Sequence, residues 1–378
     1  MFKRKLTTLA KVSAHVAAGC ALAVWLAWFV GQCCNDRWHA TQYLYWMPTP
    51  LAMPAVLCGA ILATGFAVLA GWLGGAARPA KRVRLVVWVL LASGTCWMLV
   101  QWNVWRFVPW GRRASSEPSV RVLGWNSGGD FMKDFAERAV AKRPQVMAIT
   151  NSPPYTDWGL LQEQVGGARS MARFAHLSLV SKYRILRWGG TKLGVTGAVR
   201  RTFTWQGGGE IYQDKGEAMF VEVDARADFG HDLVIWMIDI PSDPRLCKRV
   251  VFEQAAATVA AFAGPVYVRS ALNLDVEEPP DLGVRGFPKP DIVMGDFNTV
   301  RGSRSMRQLV EMGGTMDHAF TRAGRGWSGT WPRKWPVLAI DQTFVSERIF
   351  VEGYEVVDMG AALHNAQFVD IRAKELNR

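Results

Sequence analysis

Five polar residues stand where apolar runs stop. Asn126 closes the run VRVLGWN, Asp296 and Asn298 close IVMGDFN, Asp341 follows LAI, and His364 lies in LHNAQF near the C-terminus. A carboxylate flanked by carboxamides can orient a hydrolytic water and hold phosphoryl oxygens, and a His–Asp pair is the usual acid/base arrangement. Of the other five histidines, His176, His231 and His318 show no ligand spacing and read as structural. The six cysteines are Cys20, Cys33, Cys34, Cys58, Cys96 and Cys247. Their spacing matches no zinc site, and only Cys247 falls in the C-terminal two thirds, which excludes a disulfide there. The adjacent Cys33 and Cys34 read as small apolar residues at a helix end.

Positioning those five residues needs strands that end together. The runs VRVLGW, QVMAIT, LSLVSKYRIL, AMFVEVDA, DLVIWMIDI, PDIVMGDF and LAIDQTFVS read as strands. MKDFAERAVAKR and KRVVFEQAAATVAAFAG read as helices between them. Many strands with few, widely spaced helices predict packed sheets covered by helices, an α/β or α+β layered domain over 119–378. The Pro-rich, acidic stretch 273–290 reads as a surface excursion.

The first third has another character. Three hydrophobic stretches, about 13–31, 53–73 and 85–102, each approach the roughly 20 apolar residues that cross a bilayer. Residues 1–105 therefore read as a membrane anchor of three transmembrane helices, and 106–118 as a linker. Of the 44 Lys and Arg, 12 lie in residues 1–113 beside a single acid, Asp36. The remainder holds 32 basic against 31 acidic residues, so the net charge of +12 belongs to the anchor. A basic surface for nucleic acid is thus not supported. Lys3, Arg4, Lys5 and Lys11 precede the first span, and Arg78, Lys81, Arg82 and Arg84 precede the third. Positive flanks stay inside, so three crossings predict a multi-pass protein of the cytoplasmic (inner) membrane with its soluble domain extracytoplasmic. The lipid bilayer is then one partner, and a phosphate-containing substrate the other.

The order of these elements resembles the endonuclease/exonuclease/phosphatase superfamily, the DNase I-like phosphoesterases, in its membrane-anchored bacterial form. The likeness runs from about 119 to 375: VRVLGWNS, PQVMAITN, LVSKYRIL, MGDFNT, SGTWP with AIDQTFVS, and HNAQFVDIRA. It implies a four-layer α/β sandwich and a divalent cation, Mg²⁺ or Mn²⁺. It implies that Asn126 binds phosphate or supports the metal, Asp296 orients the attacking water, and Asn298 contacts transition-state oxygens. His364 is then the general base or charge stabiliser, oriented by Asp341. Three positions depart from the pattern. Asn151 stands for the metal-binding Glu, Asp239 for a central His, and Leu363 for the Asp before the terminal His. A hard cation relies on carboxylate oxygens, so these changes leave two readings. In one, Asp239, helped by Asp243 or Asp130, joins Asp296, Asn126 and Asn151 in an altered metal site, and the chain hydrolyses phosphomonoesters or phosphodiesters. In the other, catalysis is gone and a pseudoenzyme of the same fold serves as a binding module.

Overall fold

The computed structural model describes residues 2–74, 78–107, 119–128, 132, 134–153, 158–165, 171–197, 199–203, 209–269, 275–277 and 285–374. Asp130, residues 108–118 of the expected linker and part of the Pro-rich stretch lie outside the described residues. The chain divides into two units, Met1–Val104 and Trp105–Arg378.

The first unit is helical: Phe2–Cys34, His39–Tyr45, Thr49–Trp72 and Arg78–Gln101. Its long helices approach closely because small residues meet. A Cβ added at Gly59 would stand 2.8 Å from the Ala21 Cβ, with Val56 and Ala60 buried alongside. A polar chain ties three helices at one end. The Trp28 indole donates to Thr49 Oγ1 (3.2 Å), Thr49 Oγ1 to Gln101 Oε1 (3.0 Å), and Gln101 Nε2 to Gln32 Oε1 (3.0 Å). Apolar surroundings favour such pairing, since an unpaired polar group there has no water to turn to.

Among the described residues two helices, not the expected three, are long and apolar enough to cross a membrane: Phe2–Cys34 and Thr49–Trp72. The apolar stretch of the next helix, Leu85–Gln101, is shorter. Arg78, Lys81, Arg82 and Arg84 occupy its opening turns, where a full span would need apolar residues.

The second unit holds two facing sheets. The six-stranded sheet runs Ile349–Val357, Ala366–Ala373, Val120–Asn126, Val146–Thr150, Leu177–Ser181, Met171–Phe174. The eight-stranded sheet runs Asp275–Glu277, Val266–Arg269, Ile185–Lys192, Glu217–Val223, Leu233–Asp239, Ile292–Asp296, Asp341–Ser346, Met316–His318. A hairpin, Val199–Phe203 with Gly209–Gln213, stands apart. Strand periodicity sorts the apolar side chains into layers. Leu233, Ile235 and Met237 face the inter-sheet core, where Val122, Val146 and Ala148 meet them. Val234, Trp236 and Ile238 face the opposite way, onto Val251, Phe252 and Ala255 of the helix Lys248–Ala260. On the other sheet Leu123 and Trp125 pack outward against Phe135, Ala139 and Leu161, which belong to the helices Phe135–Val140 and Trp158–Val165. The order helix, sheet, sheet, helix is the four-layer α/β sandwich expected from the sequence.

The pairing gathers the polar strand ends. Val120–Asn126 runs parallel to Val146–Thr150, with Asn126 opposite Thr150. Leu233–Asp239 runs parallel to Ile292–Asp296, with Asp239 opposite Asp296. Asp341 pairs with Asp296 from the antiparallel side. The two parallel pairs face each other closely, as a Cβ on Gly124 would come within 2.7 Å of Met294 Cε. Their carboxyl ends therefore open at one edge.

Gly295 is what allows Asp296 its place. Its φ is +140°, and an added Cβ would stand 2.0 Å from the carbonyl oxygen of Ile238, a backbone atom that cannot swing aside. Gly295→Ala should destabilise the domain by about 3 kcal/mol or more. Thermal melts of wild type and variant check this, and an unchanged Tm would contradict the packing described.

Candidate active site

Asp296 is buried at the centre of the cluster, and each of its oxygens is held. Oδ2 accepts from Asn126 Nδ2 (2.7 Å), and Oδ1 accepts from the backbone N–H of Asn298 (2.8 Å). Asn298 has φ +45°, a left-handed conformation that Asn tolerates better than most residues, and this turns its N–H back on Asp296. Its own Nδ2 donates to Ile240 O (2.7 Å), fastening the two parallel strand ends together. Asn126 Oδ1 accepts from Gly128 N (2.9 Å) and from Asn151 Nδ2 (3.3 Å). Asn151, also left-handed with φ +49°, donates from the same nitrogen to Asp239 Oδ2 (3.3 Å). The departures Asn151 and Asp239 are thereby joined to Asn126 and Asp296 in one network.

The His–Asp pair completes it. His364 Nδ1 lies 2.9 Å from Asp341 Oδ2, and His364 Nε2 lies 3.5 Å from Asn126 Nδ2. The backbone N–H groups of Ile340 and Asp341 donate to Thr330 Oγ1 (3.3 and 3.2 Å), which fixes where the Asp341 strand begins. Burial and the neighbouring Asp341 charge push the Asp296 carboxyl well above the usual carboxylate range. For His364, burial acts downward but is outweighed by Asp341, Asp296 and Asp239, which hold the imidazole at about 9. The ring is therefore an imidazolium at neutral pH, a fixed positive charge beside three acids.

That shift has a stability consequence with a definite sign. A histidine raised from 6.5 to about 9 on folding contributes stability that is fully present below pH 6.5 and is lost as pH rises through 9. The difference corresponds to about 3 kcal/mol. In EDTA, wild type should lose Tm between pH 6 and 10 more steeply than His364→Asn, which carries no titrating ring. Parallel pH slopes would refute it.

The donors suit a divalent ion. Asp296 and Asp341 each offer a carboxylate oxygen within 4.8 Å of the other and of a His364 ring nitrogen. Asp341 Oδ1 is buried without a hydrogen-bond partner, which leaves a hard oxygen available for a cation. Asp239 joins this group through Asn151, and its strand position opposite Asp296 keeps it at the same edge. Asp243 serves elsewhere, since Arg245 holds its carboxylate at 2.7 Å. Leu363 lies outside the cluster, 58% exposed on the step before His364.

Sequence reasoning missed Lys248. It is fully buried at the start of its helix, donating from Nζ to Pro241 O (2.9 Å). Burial lowers its pKa to about 8 against the pull of Asp296, Asp243 and Asp214. A lysine opening an amphipathic helix carries no signal of this, because only the tertiary packing turns it inward.

Among curated proteins none matches the chain by sequence. Solved structures similar to it include an endonuclease/exonuclease/phosphatase from Bacteroides vulgatus, at 15% identity and TM-score 0.44, covering 68% of this chain and 100% of that one. The human Nocturnin catalytic domain is 12% identical at TM-score 0.46, covering 69% and 97%. The mannosyl-6-phosphatase of Bacteroides thetaiotaomicron is 12% identical at TM-score 0.45, covering 67% and 99%. The sequence profile of the Endonuclease/Exonuclease/phosphatase family matches residues 100–363. The chain belongs to that family, whose members are phosphoesterases and nucleases and generally use divalent metals.

Proposed function

We propose that the chain is a membrane-tethered, divalent-metal-dependent phosphoesterase that hydrolyses a phosphomonoester or phosphodiester. The observation that carries this reading is the network of Asn126, Asp296, Asp341 and His364 at one sandwich edge, with a free carboxylate oxygen on Asp341. Asp296 and Asp341, with Asp239, Asn126 and Asn151 beside them, are the residues that would hold Mg²⁺ or Mn²⁺. Such an ion supplies Lewis-acid polarisation of a phosphoryl oxygen. Asp296 orients the attacking water and accepts a proton from it as the water oxygen bonds to phosphorus. The bond from phosphorus to the leaving oxygen breaks. The His364 imidazolium, held by Asp341, balances the charge gathering on the phosphoryl oxygens, and Asn126 and Asn298 orient them. Full-length protein assayed on p-nitrophenyl phosphate and bis(p-nitrophenyl) phosphate, with Mn²⁺ and then EDTA, tests this. Turnover insensitive to EDTA would defeat the metal role.

A second reading has its own observation. Asn151 Nδ2 bridges Asn126 Oδ1 and Asp239 Oδ2, so a neutral amide does there what a cation would do. That arrangement favours a pseudoenzyme binding phosphate without cleaving it, and measurable turnover dependent on Asp296 excludes it.

Phe2–Cys34 and Thr49–Trp72 support a membrane tether, and a cytoplasmic-membrane location is part of the proposal. Two crossings return the second unit to the side of the N-terminus, the cytoplasmic side by flanking charge. The extracytoplasmic location expected from three spans would require Leu85–Gln101 to cross as well. Reporter fusions after Trp105 read the side directly.

A further inference from the structure

Among the described residues of the second unit, the two most exposed large hydrophobic side chains share one corner. Trp335 is 80% exposed and Leu363 58%. Leu363 precedes His364, and its Cγ lies 4.0 Å from where a Cβ on Gly128 would stand, two residues past Asn126. Trp335 lies on the loop Trp331–Pro336, which leaves Thr330 and returns to Asp341. Both elements are thus rooted in the active site.

The loop is clamped to the Leu363 segment. Arg333 N donates to Leu363 O (2.8 Å), Asn365 N to Thr330 O (2.8 Å), Asn365 Nδ2 to Arg333 O (3.2 Å), and Arg333 Nε to Ala362 O (3.1 Å). The Arg333 guanidinium also reaches Asp358 (2.9 Å), and the Trp327 indole donates to Pro336 O. So many bonds hold two large apolar side chains in water at the rim of a polar site. Buried apolar surface is the ordinary outcome of folding, and an exposed pair beside a site indicates contact with something apolar. Lys334, exposed between the two tryptophans, adds a positive charge suited to a phosphate-bearing ligand.

We propose that Trp335 and Leu363 form an apolar rim that receives the hydrocarbon chain of an amphiphilic phosphate ester, making a lipid phosphate ester the substrate of the site. This rests on the phosphoesterase reading above. A single-stranded nucleic acid is the competing occupant of an exposed tryptophan, but a leucine offers no stacking face. Residues 114–378 are also nearly balanced in charge, with 32 basic against 31 acidic residues, so no overall excess of positive charge favours a phosphate backbone.

The test uses the full chain in amphipol, free of added lipid. Glycerol 3-phosphate and dihexanoyl phosphatidate are compared as substrates, with oligothymidylate as a third. Wild type should favour the dihexanoyl ester over glycerol 3-phosphate by about 100-fold in kcat/KM. That preference should fall about tenfold in Trp335→Ser/Leu363→Ser, through KM rather than kcat, and should persist in Trp335→Phe. A phosphatidate carrying a diazirine on one hexanoyl chain should photolabel the segments 331–336 or 361–365. Labelling there without turnover of any ester would support the rim while defeating the hydrolase. Turnover without chain preference, labelling confined to other segments, or preferred cleavage of oligothymidylate would overturn the rim and leave the hydrolase standing.

Discussion

Asp296→Asn should reduce phosphoester hydrolysis by about 10³-fold or more while leaving the fold intact. The substitution keeps the size of the side chain and an oxygen for the Asn298 N–H, so the turn after the strand survives. What it removes is charge. Asp296 is buried and within 4.8 Å of Asp341 and His364, so a neutral amide withdraws both a hard anionic donor and the acceptor for the proton of water. An amide nitrogen facing Asn126 Nδ2 would also repel where the carboxylate accepts. Initial rates with saturating Mn²⁺, alongside circular dichroism of both proteins, measure the effect. A fall of less than tenfold would place the chemistry elsewhere.

His364→Gln should lower kcat by about 10³-fold with a smaller effect on KM. Glutamine can still meet Asp341 through its amide, but it cannot carry the positive charge that Asp341, Asp296 and Asp239 hold on the imidazole at about 9. If that charge acts on the phosphoryl oxygens as they become more negative, its loss is felt in the transition state rather than in binding. Asp341→Asn should follow it in direction, because the amide leaves the ring free to lose its proton at lower pH. Steady-state kinetics at pH 7 separate kcat from KM. A rise in KM alone would make His364 a binding residue.

Much of the second unit was legible because its strands obey simple rules. Leu233–Asp239 reads as one continuous apolar run, and burial on both faces is what the structure finds: Ile235 inward, Trp236 outward onto a helix. Asn126, Asp296, Asp341 and His364 were legible as polar residues at the limits of such runs. Their meeting was legible only through the family resemblance, since it depends on strand pairings between residues far apart in sequence, Asp239 with Asp296 and Asp296 with Asp341. The third stretch differs from expectation because Arg78, Lys81, Arg82 and Arg84, read as a loop before a span, instead form the first turns of its helix, Arg78–Gln101. Lys248 and Trp335 defied the usual prior in opposite directions, a charge fully buried and an indole left in water.

Binding of Mn²⁺ to the full-length protein, followed by electron paramagnetic resonance as the ion is titrated in, tests the metal centre at its root. Wild type should show one stoichiometric site whose signal changes on binding, and Asp296→Asn should lose it. Free Mn²⁺ in proportion to all that is added, in wild type and variant alike, would contradict it.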